Sequence, residues 1–421
     1  MLGTYIDSMM GEASSPVSRS AVIAVSLFLL IPLSCHALTE DDGSLGLLLL
    51  GDVGASGSPV DFWLERDLII DYFSIPMAQK SLPEKELIRY TSIYFPRNLE
   101  HMMDLYDMMV ICEEEELFAW YTSPRHKDIM YRAVAREGMA LFSSLPHEHY
   151  EFVEWANTRL SETLPHEYAA GYTKLLGTWK LDIETDKDLP PVFTPFVGLG
   201  MESFEGPHLG KLHRKTGATT WAWAVPHNSP FFISWEYGDR DARTSASAND
   251  LDEPWWGSTY RGSPSQNPWG GDLFLNIVYW SVGKEPITDL TVVRSVRDKY
   301  SNYLVQRGVT LSLVEFIDDF GANIAPLESK LEELSTGRNL ARQLYYEQRY
   351  EEALEHINTL FDTMMEIEQE ALKLKERAFF WIYLIEWLVV TAALMIVGFI
   401  TWSLMVKRRL YREVKVTRAE T

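Results

Sequence analysis

A chain of 421 residues exceeds what one hydrophobic core usually serves, so two or three structural units are expected. Hydrophobic residues at 46% and charged residues at 23% are ordinary globular values and exclude a disordered chain, while 14 Trp make it rich in large rings. The net charge of −22, from 38 basic and 60 acidic residues, excludes a broad phosphate-binding surface, so neither DNA nor RNA is an expected partner.

At the amino end, Arg19 precedes an apolar run from Ala21 to Leu33, followed by Ser34, Cys35, His36 and Ala37. The run is too short to span a bilayer, and small residues stand at the cleavage positions, so residues 1–37 read as a signal peptide cut after Ala37. An uncleaved anchor is the alternative. The first 18 residues carry Asp7 and Glu12, unusual before a signal core, so Met9 or Met10 is an alternative start. A lipoprotein site at Cys35 is disfavoured by Pro32, where Leu is wanted. Once the signal is removed, Cys112 is the only cysteine, and no disulfide within the chain is expected.

Residues 45–285 read as an α/β domain. Leu45 to Leu50 and Met108 to Cys112 are continuous apolar runs of the kind that form strands buried on both faces, and Met139 to Ser143 is a third. Between them Glu84 to Tyr94 has helical spacing, and Ser123 to Arg136 is a helix with Ser123 as N-cap and Pro124 in its first turn. Alternating strands and helices predict a parallel sheet with helices on both faces and sites beyond the carboxyl ends of the strands. Further strands are expected at Val192 to Val197, Thr219 to Ala224 and Phe231 to Tyr237, then a helix at Asp272 to Ser281.

Near residue 285 Gly, Pro and Trp give way to Glu, Leu and Lys, which places a domain boundary there. Residues 286–377 read as a helical stalk with breaks at Gly308, Gly321, Pro326 and Gly337. Asn339 to Tyr346 and Glu351 to Leu374 pair as a hairpin. The stretch with Tyr350, Ala353 and Leu354 is similar to half a tetratricopeptide repeat, too little to make a solenoid. The second helix is expected to continue into the membrane. Its apolar positions Leu354, Ile357, Phe361, Met364 and Met365 are available to the stalk's other helices or to a partner chain.

Residues 379–406 form the expected transmembrane helix. Its uncharged heart, Leu388 to Val406, is about 19 residues and ~28 Å long, close to the hydrocarbon thickness. Lys407, Arg408, Arg409, Arg412 and Lys415 follow it, so the positive-inside rule makes 407–421 a cytoplasmic tail and puts the bulk of the chain outside the cell. Trp381 and Trp387 mark the outer interface and Trp402 the inner one. Glu386, beside Trp387, is read as an interfacial carboxylate reaching water.

The pieces Gly51-Asp52, Tyr94-Phe95-Pro96-Arg97, Tyr106-Asp107, Trp235-Glu236-Tyr237-Gly238, Asp252-Glu253-Pro254-Trp255-Trp256 and Gly271-Asp272-Leu273-Phe274-Leu275-Asn276 carry a resemblance. Over roughly residues 45–285 the chain resembles uncharacterised prokaryotic, archaeal membrane proteins with a class I glutamine amidotransferase-like domain. The resemblance implies a flavodoxin-like parallel sheet. Active members of the wider superfamily carry a nucleophilic cysteine on a strand-to-helix elbow between glycines, with a His-Glu pair later. Here the matching strand reads Met139 to Ser143, then Ser144, Leu145 and Pro146, with neither cysteine nor glycine, so the resemblance implies a lost nucleophile and no catalytic residue is assigned.

Cys112 is followed by Glu113 to Glu116, whose field raises a thiol pKa, so a buried structural cysteine is the better reading than a nucleophile. Ser143 or Ser144 with His147 or His149 lacks a nucleophile-elbow context. His208, His213 and His227 match no metal-ligand spacing, so no metal and no cofactor is expected. Gly51 to Gly54 needs only a turn-forming role. The candidate ligand-binding residues are Glu113 and Glu114, at the carboxyl end of a central strand, with Trp255, Trp256, Tyr260, Arg261 and Trp269 of the aromatic loop from Asp252 to Trp269. Its rings suit stacking on a glycan or small ligand, or packing over the sheet as a lid. The sequence thus reads as a membrane-anchored extracellular binding or assembly module. The alternatives are a cell-surface hydrolase or amidase using Cys112 or a Ser, and a sensor subunit of an envelope or transport complex.

Overall fold

The computed structural model describes residues 44–51, 59–76, 83–112, 122–144, 158–167, 178–185, 189–205, 209–251, 254–256 and 267–419. The chain divides into two compact units. One holds the residues up to Asp61 and Ile70 to Glu285, the other Phe62 to Ile69 and everything from Pro286. The first division falls inside a short helix, α1 (Val60–Leu64). The signal-peptide segment 1–37 lies outside the described residues.

Among the described residues the first unit is built on a nine-stranded sheet. Its strands are β1 (Leu45–Gly51), β2 (Ile70–Pro76), β3 (Met108–Cys112), β4 (Ala140–Ser144), β6 (Thr178–Ile183), β7 (Ser203–Glu205), β9 (Thr219–Val225), β10 (Ser229–Tyr237) and β11 (Ala242–Ser247). The strands β5 (His166–Glu167) and β8 (His213–Arg214) pair separately. The order is β2-β1-β3-β4-β11-β10-β9-β6-β7. The first five are parallel, as the alternating pattern predicts. The remaining four are antiparallel, which corrects the expectation of an all-parallel sheet. The connections explain the change: Val225 to Ser229 and Tyr237 to Ala242 are too short for the crossover a parallel pair needs, and short enough for hairpins.

Helices α2 (Glu84–Tyr94), α3 (Leu99–Leu105) and α4 (Pro124–Glu137) cover one face of the parallel strands. There Leu48, Leu50, Met109, Ile111 and Leu141 pack with Leu87, Met102, Met130 and Val134. On the other face Phe142 sets its edge against Phe274 of α5 (Gly270–Ser281), with ring centroids 5.5 Å apart. Ser123 caps α4 as its position predicts, its hydroxyl accepting from His126 N at 3.2 Å. The expected strand at Val192 to Val197 is instead a 3-10 turn, Thr194–Phe196. Pro195 cannot donate to a ladder, and Phe193 is buried against Phe232, 5.0 Å away, without any strand pairing.

The second unit contains α6 (Leu290–Asp319), α7 (Ala325–Tyr346) and α8 (Tyr350–Ala419), the last an unbroken 70 residues. The α7–α8 turn falls at Glu347 to Arg349, as the hairpin reading has it. Gly321, at φ +73°, and Pro326 do separate α6 from α7. The breaks expected at Gly308 and Gly337 do not occur. Gly308 faces open space and costs only about 1 kcal/mol relative to alanine. Gly337 leaves room for Leu360 of α8, since a Cβ there would lie 2.5 Å from Leu360 Cδ2 and that side chain would have to move.

This unit buries a carboxylate. The Asp67 side chain is fully inaccessible, and its Oδ2 accepts from Arg297 Nε at 3.0 Å and from the Tyr345 hydroxyl at 2.9 Å, with Arg297 Nη2 also 2.9 Å away. Its Oδ1 accepts from Ile69 N at 3.1 Å. Truncating one partner of such a pair strands the other charge without solvent, at a cost of about 3–5 kcal/mol. Asp67→Ala should therefore destabilise the helical unit by that amount, seen as faster amide exchange in α6 and α7 and a lower denaturation midpoint, whereas a surface change such as Glu332→Ala should leave both unchanged.

Candidate functional site at the carboxyl edge of the parallel strands

In open α/β sheets ligands bind beyond the carboxyl ends of the strands, where the strand order reverses. Here that point lies between β1 and β3, at Gly51 and Cys112. Gly51 has φ +113°, and a Cβ on it would fall 2.0 Å from the Cys112 carbonyl oxygen, so only glycine fits. Cys112 itself is buried. Glu113 and Glu114, which follow it, lie outside the described residues, as do Glu115, Glu116, Asp52 and Gly54.

Next along the edge, Ser143 and Ser144 end β4 with no exposed surface. Ser144 is the register partner of Ser247 on β11. The Ser247 hydroxyl donates to Asn249 O at 3.0 Å and accepts from Asn249 N at 3.2 Å, closing a tight turn. Asn249 and Asp250, which follow β11, are also buried, so hydroxyl, amide and carboxyl groups underlie this edge. The Ser143 hydroxyl makes no hydrogen bond among the described residues, and so has no base to activate it there. His147 and His149 lie outside the described residues.

The aromatic loop divides. Trp255 and Trp256 are interior residues, and their rings are not presented for stacking on a ligand in solvent. Trp255 Nε1 donates to Met201 O at 3.0 Å, its ring meets Phe231 at 4.8 Å, and the two indoles stand edge to face at 4.8 Å. Trp269 is half-buried beside the start of α5, its amide donating to Asn267 Oδ1 at 2.9 Å. Tyr260 and Arg261 lie outside the described residues. Among the described residues no group of three or more His, Cys, Asp or Glu is arranged to hold a metal. His213 and His227 are exposed, and His208 is not described.

A polar cluster that sequence reasoning missed lies at the opposite edge of the sheet, around the carboxyl ends of α4 and β10. Arg159 Nη2 donates to the Tyr131 hydroxyl at 2.6 Å while its guanidinium lies 4.0 Å over that ring. Burial, then the bond to Tyr131, pushes the Tyr237 phenol up to about 12. Burial lowers the Lys215 ammonium, with Glu167 and Glu162 opposing. Lys215 donates to the Ser161 and Glu162 carbonyls and sits 5.2 Å over the Trp235 ring. These donors are consumed within the fold. The spacing of Trp235 and Tyr237, two residues apart on one face of a strand, was the legible signal.

His126 stacks on Phe95 in the first turn of α4, with centroids 4.3 Å apart. Burial, then the Arg125 charge, holds its imidazole below the ordinary value of 6.5. A depressed folded pKa means the unfolded chain binds more protons, so the contribution is complete above pH 6.5 and is lost as pH falls through the folded pKa. Denaturation midpoints should fall in that window, and His126→Phe should flatten the decline. Ser143→Ala should be neutral or stabilising by about 1 kcal/mol in the same measurement, because it removes a buried hydroxyl that is unsatisfied among the described residues.

No protein-family model matches the chain, and no curated protein matches it in sequence.

Proposed function

We propose that the chain is a single-pass membrane protein that holds a binding or assembly module outside the cell. The observation that carries this reading is α8, which leaves the helical unit without a break and becomes long and apolar enough to cross a membrane. Its large apolar side chains between Leu388 and Val406 are 40–67% exposed, a surface that water disfavours and lipid accepts. The basic tail after Val406 supports a cytoplasmic C-terminus, and the short apolar run before Ala37 supports export of the rest.

The order of the five parallel strands supports a flavodoxin-like core, because it is the doubly wound order second-first-third-fourth-fifth. Binding is favoured over catalysis at the amidotransferase-like position because Ser143 stands there buried and hydrogen-bonded to no base among the described residues. Assembly with a partner chain is supported by Val305 and Val309, 67% and 53% exposed one turn apart on α6.

Topology and chemistry are separable in two measurements. In intact cells an impermeant maleimide should label Lys284→Cys at once and Lys415→Cys only after permeabilisation; the reverse pattern overturns the orientation. Purified protein in nanodiscs should release no ammonia from glutamine beyond the level of Cys112→Ala and Ser143→Ala variants. Release that either substitution abolishes would replace the binding reading with a hydrolase.

A further inference from the structure

The register of the helical unit fixes which of its ends faces the bilayer, given the reading of α8 as a membrane span. Lys299 of α6 lies over Phe361 of α8 at 5.9 Å, Gln306 bonds Glu368, and Phe320 meets Phe379 at 5.4 Å. The matched positions advance together along both helices, so α6 runs parallel to α8 and its carboxyl end is its membrane-proximal end. Lys330 of α7 reaches Glu370 at 2.7 Å and Gly337 O lies 2.9 Å from His356 Nε2, so α7 runs back the other way. The turn from Phe320 to Ile324 is therefore the lowest point of the α6–α7 pair.

That corner is aromatic. Phe316 and Phe320 pack edge to face at 4.8 Å, and both contact Phe379, at 6.2 and 5.4 Å. Lys375 lies 5.6 Å over Phe316 and 5.9 Å over Phe379. Phe316 and Phe320 remain 40% and 43% exposed, and beside them Phe380, Trp381 and Tyr383 are more exposed still. From Ala378 to Val406 the only ionisable acid or base is Glu386, Tyr383 apart. This stretch, about 29 residues and ~43 Å of helix, matches a bilayer with its headgroup layers rather than the hydrocarbon alone. With Lys407 at the inner headgroups, Phe379 stands at the outer ones, and Phe316 and Phe320 stand at its height.

We propose that the α6–α7 corner is a membrane foot. Phe316 and Phe320, continuous with Phe379, Phe380 and Trp381, seat in the headgroup layer of the membrane that α8 crosses and hold the helical unit at a fixed angle to it. Aromatic rings are favoured at this depth, and a lysine stem lying over them can carry its charge to a lipid phosphate. Asp318 and Asp319 close α6 at the same corner and repel anionic lipid, so the foot is suited to a zwitterionic surface.

The test places p-benzoylphenylalanine at position 320, 394 or 340 of the full chain in phosphatidylcholine nanodiscs and irradiates each. Position 394 lies in the span and position 340 on an exposed turn of α7 away from the corner. Lipid adducts at 394 and 320, with none at 340, are the expected result. An adduct at 394 with none at 320 overturns the foot and leaves the span standing. No adduct at 394 overturns the span, and the foot falls with it. A protein–protein adduct at 320 overturns the foot in favour of an interface between copies of the chain.

Discussion

A single buried charge governs how this chain can be divided. Asp67 lies in the connection between the first two strands, a place where a parallel sheet ordinarily needs only a crossover packed on its own face. Instead the residues from Phe62 to Ile69 belong to the helical unit, and the Asp67 carboxylate is paired there with Arg297 and Tyr345. A carboxylate in the interior is tolerable only while its cation and hydrogen-bond donors stay in place. The helical unit is consequently not a linear segment that begins at residue 286. It is completed by a piece of chain more than 200 positions upstream, since the Asp67 and Arg297 bond spans 230 residues. Any excision at the composition boundary would leave Arg297 and Tyr345 facing a void.

The same economy of space explains residues that a sequence reader is tempted to call functional. Asp107 accepts from Gly46 N at 2.8 Å, and its own carbonyl accepts from Ala140 N at 3.1 Å, so it ties β1, β3 and β4 at their amino ends. A Cβ on Gly46 would stand 2.1 Å from Leu105 O, one on Gly238 2.2 Å from Ala135 O, and one on Gly270 2.1 Å from Trp256 O. The short sequence pieces at Gly51, Tyr106, Gly238, Trp256 and Gly271 thus hold, or adjoin, positions where two backbones meet too closely for a side chain. Those close approaches are architectural, and the rings of Trp255 and Trp256 serve the same end by filling the space beside Phe231.

What was legible follows from what burial does to a sequence. Most strands buried on both faces are apolar throughout, so β1 and β3 stood out, and α4 was marked by Ser123 and Pro124. β11 did not, because Ala242 to Ser247 is a buried central strand written in small polar residues, with Ser245 and Ser247 inaccessible among them. Hydrophobic pattern reports free energy of transfer, and a strand that fits by size rather than by greasiness carries no such signal. The antiparallel half was hidden for a related reason: of its strands only β9 and β10 carried an apolar signal, and nothing local states that they extend a parallel sheet. At the candidate site, Cys112 and Ser143 could be placed at strand ends from the pattern alone, whereas their neighbours are strands far apart in the chain, β1 beside Cys112 and β11 beside Ser143.

The helical unit shows how register converts local chemistry into position. Gly308 and Gly337 look alike in the sequence, yet one faces open space and the other admits Leu360 into the α7–α8 seam. Only the second sets how α7 lies on α8, and with Lys330 and Glu370 it fixes the height of every residue on that helix relative to the apolar segment. Ile357 and Met364, read from sequence as available to the stalk's other helices or to a partner chain, are buried inside this packing, while Met365, on the same helix, keeps part of its surface. Along α8 buried bundle positions such as Met364 and Ile367 give way within a few turns to exposed apolar ones, Phe380 and Trp381 among them. Phe316, Phe320 and Phe379 pack together at that change, and on the proposed span a ring there can be half in each environment at little cost.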